Sequence, residues 1–379
     1  MSTTREKHTQ ASAPHLVCTR CGRPAPEGEQ TPACVCGGLF ELDFTPPAWD
    51  PALIDRSEWS LFRYRAFMAV EDDVWRTVTM GEGMSPVVPM DPDGRVLLKM
   101  DYIMPTLSFK DRGAATLVAH MKAIGVKRCV QDSSGNAGNA VAAYAARAGI
   151  ECEIYVPEGT SPKKITMIES HGAIMHVVPG TRDHCAEVCR RRVADEGLYY
   201  ANHVYNPYFY EGTKTYVYEV LEQLGRIPAH LIVPVGNGTL FIGVVKALEH
   251  LVDSGAIDRF PHVIALQSER CAPLFKARLE GSPEPARITP EPTMAEGIAI
   301  GVPMRGREIL EMMKRHDIDV VTAPEDAILT ARHDLARRGI YCEHTTAANL
   351  AALRAWEAGH GPLDDVLVTM CGAGIKSDH

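Results

Sequence analysis

The sequence lacks several features that would assign it to a broad class of proteins. No apolar run approaches the ~20 residues that a membrane-spanning helix needs, so we expect no membrane association. Basic residues are outnumbered, with a net charge of −9 over 379 residues, which argues against binding to nucleic acid. The first residues are polar with no apolar stretch behind them, so we expect no secretory signal.

The eleven cysteines are an odd number, and seven of them are scattered singly or within predicted helices. That distribution is typical of reduced thiols in a cytoplasmic protein, not of a disulfide scaffold. The other four, Cys18, Cys21, Cys34 and Cys36, form two short knuckles. Paired knuckles build tetrahedral zinc sites, but the second knuckle here is C-x-C, one residue short. The sequence leaves a zinc site and an empty hairpin of the same shape as alternatives.

The rest of the chain has an ordinary globular composition, with 45% hydrophobic and 23% charged residues, and a length that predicts two or three structural units. From residue 96 onward, strand and helix patterns alternate. Strands are predicted at 95–100, 128–131, 153–157, 174–178, 231–235 and 263–266, and helices at 110–123, 136–147, 162–171, 211–224 and 241–251. This rhythm predicts parallel sheets with helices on both faces.

Three segments carry the chemistry. The first is Thr106–Arg112, where Lys110 has the apolar neighbours Leu107 and Phe109; desolvation would favour its unprotonated, nucleophilic form. The others are the small-residue turns Ser133–Gly138 and Val235–Thr239, each between a predicted strand and a helix, where backbone N–H groups can hold an anion. An enzyme needs such a set to hold an aldehyde cofactor as a Schiff base and to bind its phosphate.

These segments, in this order, resemble the fold-type II pyridoxal-phosphate enzymes, and most closely the threonine synthase group. Further segments match the motifs of that group; they are Arg63–Arg65, Thr79–Pro86, Asn206–Pro207, Glu211–Thr215 and Cys371–Lys376. The resemblance implies two doubly wound α/β domains and a small N-terminal zinc-ribbon-like segment. We assign residues 1–45 to a disordered tail (to about residue 15) and the Cys-rich segment, 46–95 with 210–379 to a large cofactor-binding domain, and 96–209 to a smaller domain.

The resemblance also implies roles for single residues. Lys110 would form the Schiff base, then move protons during catalysis, while Asp111 and Arg112 form structural pairs. Asn136 would lie against the cofactor ring, with helix capping as the alternative. The cofactor phosphate would be bound by Val235, Gly236, Asn237, Gly238 and Thr239, and the substrate by Ser133, Ser134, Gly135 and Ala137. The family is commonly dimeric, so we expect a homodimer.

Two positions depart from the family pattern. Cys371 stands where a Ser or Thr hydroxyl normally faces the pyridine nitrogen; a thiol is a weaker hydrogen-bond partner, and the alternatives are a small buried apolar residue or substitution by Thr369. Phe209 stands where threonine synthases carry an Arg that binds the substrate phosphate. Either another cation such as His203 replaces that Arg, or the substrate has no phosphate and Tyr208, Phe209 and Tyr210 line an apolar wall.

The sequence thus predicts a pyridoxal-phosphate lyase or transferase that eliminates or replaces a side-chain group of a small L-amino acid. The conversion of O-phosphohomoserine to threonine is the closest precedent. A β-eliminating or β-replacing enzyme of the dehydratase or cysteate-synthase kind, acting on a non-phosphorylated substrate, is the alternative. A catalytically silent binding homologue is a third reading, against which the joint presence of the lysine and both loops argues.

Overall fold

The predicted alternation of strands and helices is present in the structure, a computed structural model that describes residues 14–26, 32–70 and 73–376. The strands of these residues are β1 His15–Cys18, β2 Phe40–Asp43, β3 Val87–Pro89, β4 Val96–Lys99, β5 Arg128–Gln131, β6 Glu151–Pro157, β7 Ile174–Val178, β8 Tyr199–Tyr200, β9 His230–Pro234, β10 His262–Ser268, β11 Asp319–Ala323 and β12 Val366–Thr369. The α-helices are α1 Lys110–Ala123, α2 Asn136–Ala148, α3 Pro162–Glu169, α4 Arg182–Glu196, α5 Tyr208–Leu224, α6 Thr239–Asp253, α7 Pro273–Glu280, α8 Gly306–Arg315, α9 Glu325–Arg337 and α10 His344–His360.

Two sheets with helices packed against them form the body of the fold. The larger has the order β11–β10–β9–β12–β4–β3 and is parallel apart from β3. The smaller, β7–β6–β5–β8, is parallel throughout. A separate antiparallel pair, β1–β2, belongs to the Cys-rich segment. This is the predicted α/β fold class, with a small N-terminal segment beside two α/β units.

The predicted unit boundaries remain a prediction, but one strand departs from them. Strand β4 falls at the start of the stretch assigned to the smaller unit, yet it pairs with β12 and β3 in the larger sheet. Val96, Leu98 and Lys99 are buried and Leu97 is partly buried, as expected of a strand inside a covered sheet. The predicted disordered tail lies outside the described residues except for its last two positions, where His15 begins β1. None of the described helices has the length and apolar character that would span a bilayer.

Helices α1 and α5 pack closely because of a glycine. A Cβ on Gly212 would overlap the backbone oxygen of Arg112, so only glycine permits this approach. At the same contact the Arg112 guanidinium is fully buried and pairs with Asp101 (Nε–Oδ2, 2.7 Å) and Glu219 (Nη1–Oε1, 2.6 Å). Lys99 donates to the other Glu219 oxygen at 2.7 Å. This network joins β4, α1 and α5, and it fixes the start of α1, where Lys110 lies.

Two helices begin earlier than the sequence predicts. Helix α5 begins at Tyr208, three residues before the predicted start at Glu211, and α6 begins at Thr239 instead of Phe241. Helix α1 and strand β5 have the predicted bounds. The early start of α5 places Phe209 inside a packed helix and not in a loop, which changes what its side chain can contact.

Candidate active site

A cavity of about 280 Å³ is lined by loops from the larger and the smaller sheet. The loops that follow β5, β9 and β12 all contribute, and these lie at the carboxyl ends of parallel strands, where open α/β sheets bind ligands. A larger cleft, of about 1090 Å³, lies beside the Cys-rich segment. Several of its charged side chains pair with one another, as Lys246 does with Glu41 and Arg315 with Glu249. The smaller cavity holds the predicted chemistry.

Lys110 lines this cavity at the first turn of α1. Its Nζ donates to Thr239 Oγ1 at 2.8 Å and lies 4.5 Å from the centre of the Phe109 ring. Desolvation lowers the pKa of Lys110 to about 7, and the nearby Glu343 carboxylate only partly opposes that shift. A large fraction of this amine is therefore uncharged and nucleophilic at neutral pH.

The C-terminal segment holds the approach to Lys110 in place. Phe109 N donates to the oxygen of Cys371 at 2.9 Å, and Ala373 N donates to the oxygen of Leu107 at 3.1 Å. Leu107 has a φ of 62°, in the left-handed region that a leucine seldom adopts. Such a conformation costs on the order of 1–3 kcal/mol and persists where the surrounding structure imposes it. The bonds to residues 371–373 supply that constraint.

The glycine loop after β9 leads directly into α6. Gly238 has a φ of 78°, and a Cβ there would overlap Ile309; a Cβ on Gly236 would come within 3.0 Å of Ile300. No side chain caps the first turn of α6, so its free N–H groups and helix dipole can bind an anion. Gly236, Asn237, Gly238 and Thr239 all line the cavity. Val235 does not: it is fully buried and its N–H bonds to Leu266.

The second small-residue loop lies between β5 and α2. Ser133, Ser134, Gly135, Asn136 and Ala137 all line the cavity. The turn is tight, since a Cβ on Gly138 would overlap the Ser133 carbonyl oxygen. Asn136 does not cap α2, whose N-cap is Gly135. Instead its Nδ2 donates to Glu343 Oε2 at 3.0 Å, so the capping alternative is wrong.

Cys371 also lines the cavity and is buried. Its Sγ accepts a hydrogen bond from Asn349 Nδ2 at 3.5 Å and donates to the Thr369 oxygen at 3.8 Å. Burial, with a further contribution from Glu343, raises the pKa of the Cys371 thiol well above its usual range, so it is uncharged. The alternative residue, Thr369, is bonded to Tyr216 at 2.8 Å and does not line the cavity.

Several ionisable residues of the cavity have no role predicted from the sequence, and two of them, Glu343 and Lys376, lie close to Lys110 and Asn136. Glu343 precedes α10, and its carboxylate occupies the space that a Cβ on Gly372 would need. Burial raises its pKa, while Lys376, Asn136 and Lys110 oppose that shift. Lys376 donates to the Thr106 oxygen at 2.7 Å. No sequence motif marks Glu343; an acidic residue directly before an Ala-rich helix was the only available signal.

Phe209 does not line the cavity, although its ring centre lies 5.7 Å from Lys110 Nζ, and its role in substrate binding stays a prediction. Its ring is fully buried and fills the space beside Gly113, where even a Cβ would overlap it. Tyr208 stacks on His120, and the Tyr210 hydroxyl donates to the Val204 oxygen at 2.6 Å, so neither forms the predicted apolar wall. The residue that does line the cavity is His203, which lies edge-to-face with Phe209 at 5.7 Å between ring centres.

The four N-terminal cysteines converge at a separate place. Their sulfur atoms all lie within 4.8 Å of one another, with Cys18–Cys36 at 3.5 Å and Cys21–Cys34 at 3.8 Å. Zinc bound at about 2.3 Å to each sulfur of a tetrahedron requires sulfur separations of about 3.8 Å. The short C-x-C spacing therefore does not prevent the geometry that zinc needs, and the donor set fits the metal.

Comparisons with known proteins agree on one family. A family model described as pyridoxal-phosphate dependent enzyme matches residues 78–372. The chain is 33% identical to a threonine synthase of Mycobacterium leprae over 83% of this chain and 87% of that one. It is 30% identical to a threonine synthase of Methanosarcina acetivorans over 90% and 86%.

Solved structures share the fold. The processed form of threonine deaminase isoform 2 from Solanum lycopersicum is 20% identical, with a TM-score of 0.68 over 87% of this chain and 86% of that one. A serine racemase from Dictyostelium discoideum is 23% identical with a TM-score of 0.66, over 77% and 92% of the two chains. With a family model that spans most of the sequence and relatives at 30% identity or more along nearly its whole length, this chain belongs to the pyridoxal-phosphate-dependent enzyme family, fold type II.

Proposed function

We propose that this protein is a pyridoxal-phosphate-dependent lyase that expels a side-chain group from a small L-amino acid, with chemistry like that of threonine synthases. The observation that carries the proposal is the position of Lys110. It is a desolvated amine that contacts Thr239 at the uncapped start of α6 and shares a cavity with the Ser133–Ala137 loop. Similarity to threonine synthases over more than four fifths of the chain supports the reaction class.

The residues of the cavity fit the cofactor. Lys110 would bind its aldehyde carbon, and the N–H groups at Gly236–Thr239 would hold its phosphate at the helix N-terminus. Asn136, whose amide is oriented by Glu343, would lie at the ring, and the uncharged Cys371 thiol would face the ring nitrogen. When bound, the cofactor supplies an electron sink for the negative charge that develops at the substrate Cα.

Residues of the protein would transfer the proton and bind the substrate carboxylate. When it is not bound to the cofactor, the Lys110 amine would be free to take the Cα proton, and a pKa of about 7 suits a group that must gain and lose a proton at neutral pH. The loop Ser133–Ala137 offers hydroxyls and backbone N–H groups at the start of α2 for the substrate carboxylate.

A second candidate is a β-elimination or β-replacement on a non-phosphorylated substrate. It is favoured by the state of His203, the cation suggested for phosphate binding in place of the family's arginine. Burial, with repulsion from Lys110 and Arg182, holds the pKa of His203 well below its usual range, so it is neutral. Arg182 remains as an exposed cation at the mouth of the cavity.

The two candidates are separated by their products. Holoenzyme would be incubated with O-phospho-L-homoserine, L-serine and L-threonine in turn, and threonine, keto acid, ammonia and inorganic phosphate would be measured. Phosphate and threonine released in equal amounts from O-phosphohomoserine would establish the threonine-synthase reaction. Keto acid and ammonia from a hydroxyamino acid would establish elimination. Absence of any product from all three, in protein that binds cofactor, would contradict the proposal.

A homodimer and a cytoplasmic location are part of the proposal by analogy with the family alone. Sedimentation of the holoenzyme would test the first. A single species at twice the chain mass of 41.5 kDa is expected, and a monomer at micromolar concentration would contradict it.

A further inference from the structure

One histidine in the cavity wall has an unused hydrogen-bonding group. His203 is 7% exposed and lines the cavity that holds Lys110. Its Nδ1 is buried and has no hydrogen-bond partner among the residues that the structure describes. Burying such a group without a partner costs on the order of 1–3 kcal/mol. Buried polar groups are nearly always paired. The other ring nitrogen, Nε2, has no hydrogen bond to the described residues either and is not sealed off as Nδ1 is, so a ligand in the cavity can bind the imidazole there.

The other histidines of the neighbourhood are not like this. His344 lines the same cavity and is also buried, but its Nε2 lies 3.2 Å from Arg332 Nη1. His171, near the start of α2, bonds to Asn139 at 3.2 Å. Both are explained by contacts within the fold. His203 has only apolar support, from the Phe209 ring that packs edge-to-face against it. The fold holds the imidazole in place but provides no hydrogen-bond partner for it.

The charges around His203 determine what it can bind. The cations nearest to it in this cavity are Lys110, which the cofactor would engage, and the exposed Arg182. Lys164, further along the wall, pairs with Glu296 at 2.8 Å, and Lys376 bonds to the Thr106 oxygen. A phosphate dianion only accepts hydrogen bonds and needs a charged donor in a dry site. A neutral imidazole has one donor and one acceptor, and so does a hydroxyl group.

We propose that His203 is a specificity-determining residue that hydrogen-bonds a neutral oxygen, such as a hydroxyl, on the substrate side chain. Phe209 is then a positioning residue that holds the imidazole against the cavity. This inference rests on the proposed function, because it takes the cavity to be the amino-acid site. It narrows the substrate class to small hydroxyamino acids or their uncharged esters, in preference to phosphorylated ones.

The test compares ligands that differ by one oxygen. Holoenzyme would be titrated with L-serine against L-alanine and with L-homoserine against L-2-aminobutyrate, and dissociation constants taken from the rapid shift of the cofactor's visible absorbance. In the wild type, at least one hydroxyl ligand should bind about 10-fold more tightly than its deoxy partner, the usual range of one hydrogen bond. That ratio should fall to about 1 in His203→Leu and His203→Phe, and His203→Asn should partly restore it.

The control is a second desolvated histidine outside the cavity. His120 stacks on Tyr208, and burial lowers its pKa to about 3; His120→Leu should keep the wild-type ratio. Two hydrogen-bond-deficient variants are used so that one suffices if the other does not fold. A ratio that survives in His203→Leu or His203→Phe would overturn the proposal. Tighter binding of O-phospho-L-homoserine than of L-homoserine, lost in Arg182→Ala, would also overturn it.

A failure of the proposed function would give a different result from a failure of the His203 assignment. In that case no amino acid would shift the absorbance of the wild-type holoenzyme at millimolar concentration, whatever residue stands at position 203. If all four ligands shift the absorbance but no pair depends on His203, the proposed function stands and the assignment of His203 falls. The spectral reading is independent of turnover.

Discussion

The protonation of Lys110 is set by the atoms around one side chain. The unperturbed amine has a pKa of 10.5, and desolvation lowers it to about 7 in the folded protein. Between these values the unfolded chain binds more protons than the folded one, so the stability of the cofactor-free protein should rise with pH through this window. The same shift makes the amine reactive where an ordinary lysine is protonated.

We therefore expect cofactor uptake to depend on pH with a midpoint of about 7. Cofactor-free protein would be mixed with pyridoxal phosphate from pH 5.5 to 9, and the rate of appearance of the visible band would be recorded. The rate should rise across neutrality and level off above pH 8. Lys110→Ala is the control and should develop no band. A rate that is still rising steeply between pH 8 and pH 9 would mean that the amine is not desolvated.

Phe209 shows that the residues beside it in sequence do not determine the direction of its side chain. Sequence reasoning placed this residue in the substrate site because a related motif has a phosphate-binding Arg there. In the structure α5 already begins at Tyr208, and the direction of each side chain from that helix follows from its packing on α1. The ring of Phe209 fills the space beside Gly113 and packs edge-to-face against His203, which lines the cavity. The motif identified the position of Phe209 in the chain but not the direction in which its side chain points.

Consequently, Phe209→Arg should destabilise the protein without creating a phosphate site. A cation at a fully buried position, with no acidic partner beside it, costs on the order of 3–5 kcal/mol. Thermal unfolding would measure the loss, with Trp59→Arg as the control because Trp59 is 68% exposed. A stable Phe209→Arg protein with improved use of O-phosphohomoserine would return position 209 to the substrate site.

At the scale of elements, the site is made by three strand-to-helix or strand-to-loop connections that meet at the carboxyl ends of β5, β9 and β12. Two of these could be predicted, since small residues follow a strand pattern and precede a helix pattern at 133–138 and 235–239. The bounds of α1 and β5 were predicted as found because a glycine or a strong change of pattern ends each one. The third connection was predicted only from the resemblance of Cys371–Lys376 to the family motif. The position of Glu343 beside it depends on contacts between segments far apart in sequence, which no local pattern encodes.

The glycine loop gives a prediction at this scale. Gly238 and Gly255 lie at the two ends of α6 and have similar φ values of 78° and 69°, but only a Cβ on Gly238 would meet other atoms. Gly238→Ala should therefore weaken pyridoxal phosphate binding at least 10-fold, because the loop must shift away from Ile309. Gly255→Ala should lose on the order of 1 kcal/mol of stability and keep its affinity. Equal affinities, measured by absorbance titration of the cofactor-free proteins, would count against the loop as the phosphate site.

At the scale of the whole molecule, the Cys-rich segment is stabilised separately from the two α/β units that form the active-site cavity. The four sulfur atoms lie in a segment with its own two-stranded sheet and small core around Phe40. Gly38 lets its two knuckles approach, since a Cβ there would lie 2.6 Å from Cys18 Sγ. A segment this small buries little apolar surface, and a metal commonly supplies the missing stability in such cases.

We expect about one zinc per chain in protein purified without chelators, the stoichiometry of a Cys₄ site. The double variant Cys18→Ser, Cys21→Ser should lose the metal while the visible cofactor band persists, because the cluster is not part of the active-site cavity. Cys271→Ser, at a buried cysteine elsewhere, should keep both. Elemental analysis checks the metal. A zinc content near zero in the wild type would leave the empty hairpin as the correct alternative.

The central claim is that Lys110 carries the cofactor, and chemical reduction tests it most directly. The purified holoenzyme would be treated with borohydride to fix the lysine-bound cofactor irreversibly, then digested and analysed by mass spectrometry. The account predicts one modified peptide per chain, with the added mass on Lys110 and none on Lys164 or Lys376, the other lysines of the cavity. Modification at another lysine, or a protein that takes up no pyridoxal phosphate, would contradict it.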